Sequence, residues 1–197
     1  MPKLKFKQLK KETWKDFTTL FGERGACGGC WCMHWRLTSS QFDKLKGEGN
    51  KKAMKKLVDK NTTIGIIAYD GKIPIGWCSV APREDFIRLG NSKVLKPVDD
   101  KPVWSIVCFF INKEYRKQGL SSEIIKGAVE FCKKLSKAKS RSAGKKAQIV
   151  EGYPVEPYTE NMPAAFAWTG FPNAFIKAGF EEVTRRSKTR PIMRYYL

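Results

Sequence analysis

Hydrophobic and polar positions alternate along residues 3–9, with Leu4 and Phe6 in step and Leu9 after one skip, which predicts a first strand. Trp14, Phe17, Leu20 and Phe21 then recur at the spacing of one helix face, with Thr13 and Asp16 as a capping pair and Gly22 and Gly25 as the stop. A second helix is predicted from Ser39 or Ser40, carrying Phe42 and Leu45. Gly47 and Gly49 interrupt it, and Met54, Leu57 and Val58 resume its apolar face. Residues 63–69 form a β-branched run, Asp70-Gly71 is a hairpin turn, and residues 73–80 supply the returning strand with Pro74 near its start. Residues 81–102 show no period and carry Pro82, Pro97 and Pro102, so they read as a long loop.

The most apolar stretch, Val103 to Ile111, is the pattern of a buried central strand. A helix follows over about 119–137, with Leu120, Ile124, Ala128, Cys132 and Leu135 on one face. Residues 138–146 are a polar connector, Ala147 to Val150 open another strand, and the four prolines of 154–172 mark an irregular excursion. Asn173 to Ala178 make a short helix stopped by Gly179, and Phe180–Arg186 and Pro191–Leu197 are closing strands. Antiparallel strands come first and strand-helix-strand units follow. The expectation is one α/β domain over residues 1–197, a mixed, mostly antiparallel central sheet with helices on both faces.

Composition narrows the function. Hydrophobic residues at 42% and charged residues at 29% fit a folded globular chain that needs no metal or disulfide to hold it. No run of eighteen apolar residues occurs, so no membrane partner is expected. The start, Met1 to Lys7, alternates charge with apolar side chains unlike a secretory signal, so the expected compartment is the cytoplasm and the six cysteines are expected as thiols. A net charge of +19 would suit nucleic acid or the phosphates of an anionic cofactor. Lys is spread from end to end and is densest on predicted helical faces, which argues for solvated surface over a nucleic-acid groove.

The informative stretch runs from Phe109 to Ser121, where a buried strand feeds a tight turn that opens a long helix. The first turn of a helix has unpaired N–H groups and a positive dipole end. Gly119 lets backbone approach an anion, and Arg116 and Lys117 add charge at the same place. The chemistry implied is pyrophosphate binding. Arg116-Lys117-Gln118-Gly119-Leu120-Ser121 resembles the Q/R-x-x-G-x-G/A signature of the GNAT superfamily, with Ser121 departing at the last position. Phe175-Ile176-Lys177-Ala178-Gly179-Phe180 is similar to the late Tyr-x-Lys-x-Gly-Phe motif of the same family, and the likeness spans residues 60–197.

The resemblance implies the GNAT fold and acetyl transfer from acetyl-CoA to an amine of a small molecule or a peptide. It implies a V-shaped gap beside the central strand. There the backbone of Phe109, Phe110 and Ile111 would pair with the pantetheine arm, and amides from Gln118 through Gly119, Leu120 and Ser121 to Ser122 would hold the pyrophosphate. Homodimers are common in the family. The family's usual acid is the Tyr of the late motif, which is Phe175 here, and the Asn often found seven residues earlier is Trp168. Tyr153 or Tyr158 is then expected as the acid, and Glu151 or Glu84 as the base. A non-catalytic acyl-CoA-binding protein is the alternative that Phe175 raises.

Residues 25–36 stand outside that resemblance. Cys27, Cys30, Cys32 and His34 lie within eight residues, a density that binds thiophilic metals, yet no second ligand pair exists elsewhere. The same segment reads as a tight Gly-Gly turn with buried cysteines. It also reads as an acceptor wall built from Trp31, Trp35 and Arg36. A metal-binding or nucleic-acid-binding module is the rival these residues and the charge leave open.

Overall fold

The hairpin at Asp70-Gly71 anchors one half of the sheet. In the computed structural model, which describes residues 3–137, 147–157 and 166–197, strands β1 (Lys5–Gln8), β2 (Gly65–Asp70), β3 (Ile73–Pro82) and β4 (Val103–Ile111) pair antiparallel in that spatial order. Asp70 faces Ile73 across a turn of Gly71 and Lys72. Strand β5 (Ile149–Gly152) adds to β4 in parallel, β7 (Pro191–Tyr196) lies antiparallel to β5, and β6 (Glu181–Arg185) forms the edge. The seven strands run β1-β2-β3-β4-β5-β7-β6, with one parallel junction, β4–β5.

Both faces are covered, as the unbroken apolar run of β4 requires. Helices α1 (Trp14–Phe21), α2 (Ser39–Lys44), α3 (Glu48–Asp59) and the short α4 (Ile87–Gly90) precede β4 in the chain, and α5 (Leu120–Lys137) and α6 (Pro172–Lys177) follow it. On one face α5 and α6 pack Ile124, Ile125, Ala128 and Phe175 against Ile66, Ile106, Val150 and Met193. Each fully buried Ile of α5 contributes about 1.5–3 kcal/mol. On the other face α1 and α3 set Phe17, Leu20, Met54 and Val58 against Ile67, Tyr69 and Trp77. A third cluster joins Phe86, Leu89 and Leu95 to Val107, Tyr153 and Ile192.

Several boundaries differ from the expected ones for local reasons. The cap of α2 is Thr38, one residue earlier than expected, because its hydroxyl and the Gln41 side chain exchange hydrogen bonds with each other's backbone amides. Thr13 stands at the N-cap of α1, but its hydroxyl bonds to Lys10 N and Gln8 O, while Asp16 accepts from Tyr69 at 2.7 Å. Helix α3 starts at Glu48 and runs through Gly49, because Gly29 O takes bonds from Gly47 N and Asn50 Nδ2 and pins its first turn. The loop 81–102 holds α4, four residues too short to show a period. The connector 138–146 and part of the excursion, including Tyr158, lie outside the described residues. Among the described residues no helix is long and apolar enough to cross a membrane.

Candidate active site

Strand β4 meets β5 over only four pairs, Val103↔Ile149 to Ile106↔Gly152, and then the two part. The cause lies in β4 itself. Ser79 faces Cys108 and Val80 faces Ile106, so Val107 is an extra residue on β4, a bulge that bends the strand and re-aims the residues beyond it. The Val107 carbonyl accepts from Trp35 Nε1 at 3.1 Å. The bulge brings Cys108 to the same face as Val107, and both pack with the third cluster.

A cavity of about 760 Å³ lies along the parted strand and is lined by Cys108, Phe109, Phe110 and Ile111. Arg116, Lys117 and Ser121 line it as well. The turn that places them is held by Asn112, whose side chain accepts from Glu114 N, and by Arg116 Nε, which donates to Ile111 O at 2.8 Å. Lys117 and Gly119 adopt φ of +61° and +74°, and α5 begins at the next residue. Of the remaining expected cofactor residues, Gln118 bonds Glu114 O, Ser122 Oγ bonds Gly119 O and Leu120 is buried in the core. None of them, nor Gly119, lines the cavity. The Phe109 amide is already occupied, donating to Trp168 O at 2.6 Å, so it is not free for the pairing expected of it.

The rest of the wall is aromatic and sulfur-bearing. His34 sits edge-on to Trp35, Phe42 and Trp168 at 5.3, 5.4 and 5.0 Å between ring centroids. Burial, and then the Arg88 charge whose Nη1 lies 3.3 Å from the ring nitrogens, lower its pKa to about 4 and keep it neutral. Trp35 lines the cavity. Trp31 does not, since it is buried and stacks on Phe21. Arg36 is also withdrawn, buried over the Phe86 ring with Asp85 Oδ2 3.6 Å from Nη1. Cys27, Cys30, Cys32 and His34 all line the cavity, but among the described residues no three His, Cys, Asp or Glu side chains converge as metal ligands. His34, Phe42, Trp168 and Cys108 were missed as wall residues. Only the aromatic density of 31–42 hints at the first two, and nothing local marks the others.

The expected acid and base lie elsewhere. Glu84 is exposed in a short turn. Glu151 is buried, accepting from Arg194 Nε at 2.9 Å and Tyr153 Oη at 2.8 Å, with Arg83 Nη1 at 3.5 Å. Tyr153 is closed in by Arg83 and Ser105, and burial next to Glu151 raises its pKa. Neither lines the cavity. Their side chains fall on the covered side of β5, where they tie β4 to β7, and a carboxylate already paired with guanidinium groups is a poor base. Phe175 is fully buried, and its ring packs where a Cβ on Gly152 would lie 2.0 Å from Cε1.

Comparison with known proteins agrees with this geometry. The description of the Acetyltransferase (GNAT) family matches residues 31–147, more than half of the chain. No curated protein matches by sequence. Among solved structures, the PaiA N-acetyltransferase from Thermoplasma acidophilum in complex with coenzyme A is 13% identical at a TM-score of 0.50, covering 99% of both chains. A GNAT-family acetyltransferase from Streptococcus pneumoniae is 12% identical at 0.52, again covering 99% of each. The aminoglycoside acetyltransferase AAC(6')-Ib with coenzyme A is 15% identical at 0.50, covering 98% of this chain and 95% of that one. At such identities the likeness shows the fold. With the family match running from residue 31 through α2, α3, β2 to β4 and α5, the chain belongs to the GNAT family of acetyltransferases.

Proposed function

We propose that the chain is an N-acetyltransferase that takes its acetyl group from acetyl-CoA and delivers it to a primary amine. The observation that carries this reading is one cavity bordered both by the parted half of β4 and by Arg116, Lys117 and Ser121 at the start of α5. Amides at a helix start and two cations attract a diphosphate, and the edge of β4 beyond its last pair with β5 suits an amide-bearing tail. Acetyl-CoA supplies an activated thioester. The protein's part is to hold it beside the acceptor and exclude water. The wall of His34, Trp35, Phe42 and Trp168 is the acceptor side in this reading, and a neutral His34 adds no repulsion toward a cationic amine.

The acceptor class spans small-molecule and peptide amines. The named activities of the fold neighbours, one of them an aminoglycoside acetyltransferase, cover part of that range. The test is to mix the protein with acetyl-CoA and a panel of amines and read free thiol. CoA release over many turnovers that depends on both is the expected result. Binding of acetyl-CoA with no release for any amine would favour the acyl-CoA-binding alternative instead.

A further inference from the structure

The family's usual phenolic acid is Phe175 here, and Glu151, Glu84 and Tyr153 stand away from the cavity. What does line it is sulfur. Cys32 is 5% exposed, and its Sγ accepts a hydrogen bond from Trp77 Nε1 at 3.1 Å. That indole is wholly buried and can only donate. Cys108, re-aimed by the β4 bulge, lines the same cavity, with its Sγ 3.8 Å from its acceptor, Phe109 O, and its thiol acts on Cys32 as a polar neighbour.

Two further features converge on Cys32. The Arg36 side chain is 4% exposed, has Nε and Nη2 without a hydrogen-bond partner, and has its charge close enough to act on Cys32. A cation so buried favours an anion nearby. The backbone adds a second sign, since Trp31 and Cys32 sit in succession at φ +43° and +58°, without being glycine. Each such residue costs on the order of 1–3 kcal/mol, and strain of this kind gathers where a side chain must be aimed.

We propose that Cys32 is a catalytic nucleophile that carries the acetyl group between acetyl-CoA and the amine. The proposal rests on the acetyl-CoA reading of the cavity. In the first step the electron pair of the Cys32 thiolate forms a bond to the acetyl carbonyl carbon and the bond from that carbon to the CoA sulfur breaks. CoA leaves as a thiolate and takes the Cys108 proton. In the second step the amine nitrogen forms its bond to the same carbon, the bond to Cys32 Sγ breaks, and the amine's proton goes to Cys108. Both sulfurs return to their starting states. Burial pushes the Cys32 thiol up, but its polar neighbours Cys108, Trp77 and Ser79 and the Arg36 charge outweigh it and bring its pKa down. The group expelled in the second step is thus a stabilised thiolate. It needs no tyrosine hydroxyl, which is consistent with Phe at 175.

Wild-type protein incubated with acetyl-CoA and no amine, then analysed by intact mass and peptide mapping, is expected to carry one acetyl group on Cys32, removed by hydroxylamine. Cys32→Ser is expected to bind acetyl-CoA by calorimetry and to lose about 100-fold or more in amine acetylation. Acetyl-CoA binding without an adduct on wild type, an adduct confined to Cys27 or Cys30, or Cys32→Ser turning over within about three-fold of wild type, would overturn the role of Cys32 and leave the acetyl-CoA reading standing. Wild type that fails to bind acetyl-CoA would remove both.

Discussion

The turn from Asn112 to Ser121 and the segment from Gly25 to Arg36 both border the cavity and both hold backbone at positive φ, yet their surroundings differ. In the turn, Lys117 and Gly119 are exposed and their neighbours are bonded to each other within a few residues. In the segment, Gly25, Trp31 and Cys32 are buried and are fixed by contacts from α1, α3 and β3. Left-handed backbone in the turn shapes the surface proposed to take the diphosphate. In the segment it serves packing and aims one sulfur. The same local conformation therefore carries different costs when disturbed.

Substitution of the two glycines should separate these roles. A Cβ on Gly25 would lie 2.2 Å from Trp31 Nε1 and 2.6 Å from two ring carbons, at φ +60°. Gly25→Ala is expected to cost about 3 kcal/mol or more in chemical denaturation, from strain plus overpacking. Gly119→Val, at φ +74° and exposed, is expected to cost about 1–2 kcal/mol of stability while weakening acetyl-CoA binding roughly ten-fold by calorimetry, since a branched side chain crowds the phosphate approach. Equal stability losses for the two would break the contrast.

Acid stability sharpens it on the segment side. Burial and Arg88 hold the His34 pKa at about 4 against an ordinary 6.5, so the unfolded chain binds this proton more readily than the folded one. The contribution is complete above about pH 6.5 and is lost as pH falls toward 4. His34→Gln is expected to show a shallower drop in melting temperature over that window than wild type, and an unchanged slope would contradict the assignment. The smallest effect belongs to the turn. Arg116→Ala and Lys117→Ala are each expected to weaken acetyl-CoA binding about two- to five-fold at low salt, the difference shrinking as ionic strength rises, with melting temperature held.

The legibility of the chain divides along the same line. Strand β4 matched its expected bounds and α5 fell within one residue at its start, because a run of apolar residues followed by Arg-Lys-Gln-Gly is a local signal. The turn before α5 was legible for the same reason. The bulge at Val107 was not, since it is a register shift against β3 and leaves no mark in composition. Trp31 and Arg36 were expected on the acceptor wall because aromatic and charged residues at 31–36 look alike in sequence. Two left-handed residues at 31 and 32 turn the chain, so that Trp31 enters the core and His34 faces the cavity. Glu151 was expected as a base from its place on the strand beside the gap, and only the arrival of Arg194 from β7 and Arg83 from the loop reveals a structural ion pair.

Titration of the wild-type protein with coenzyme A in a calorimeter tests the cavity assignment most directly. Saturable heat with one site per chain, weakened in Gly119→Val and preserved in Cys32→Ser, is the expected result. No heat and no thermal shift at millimolar coenzyme would contradict it.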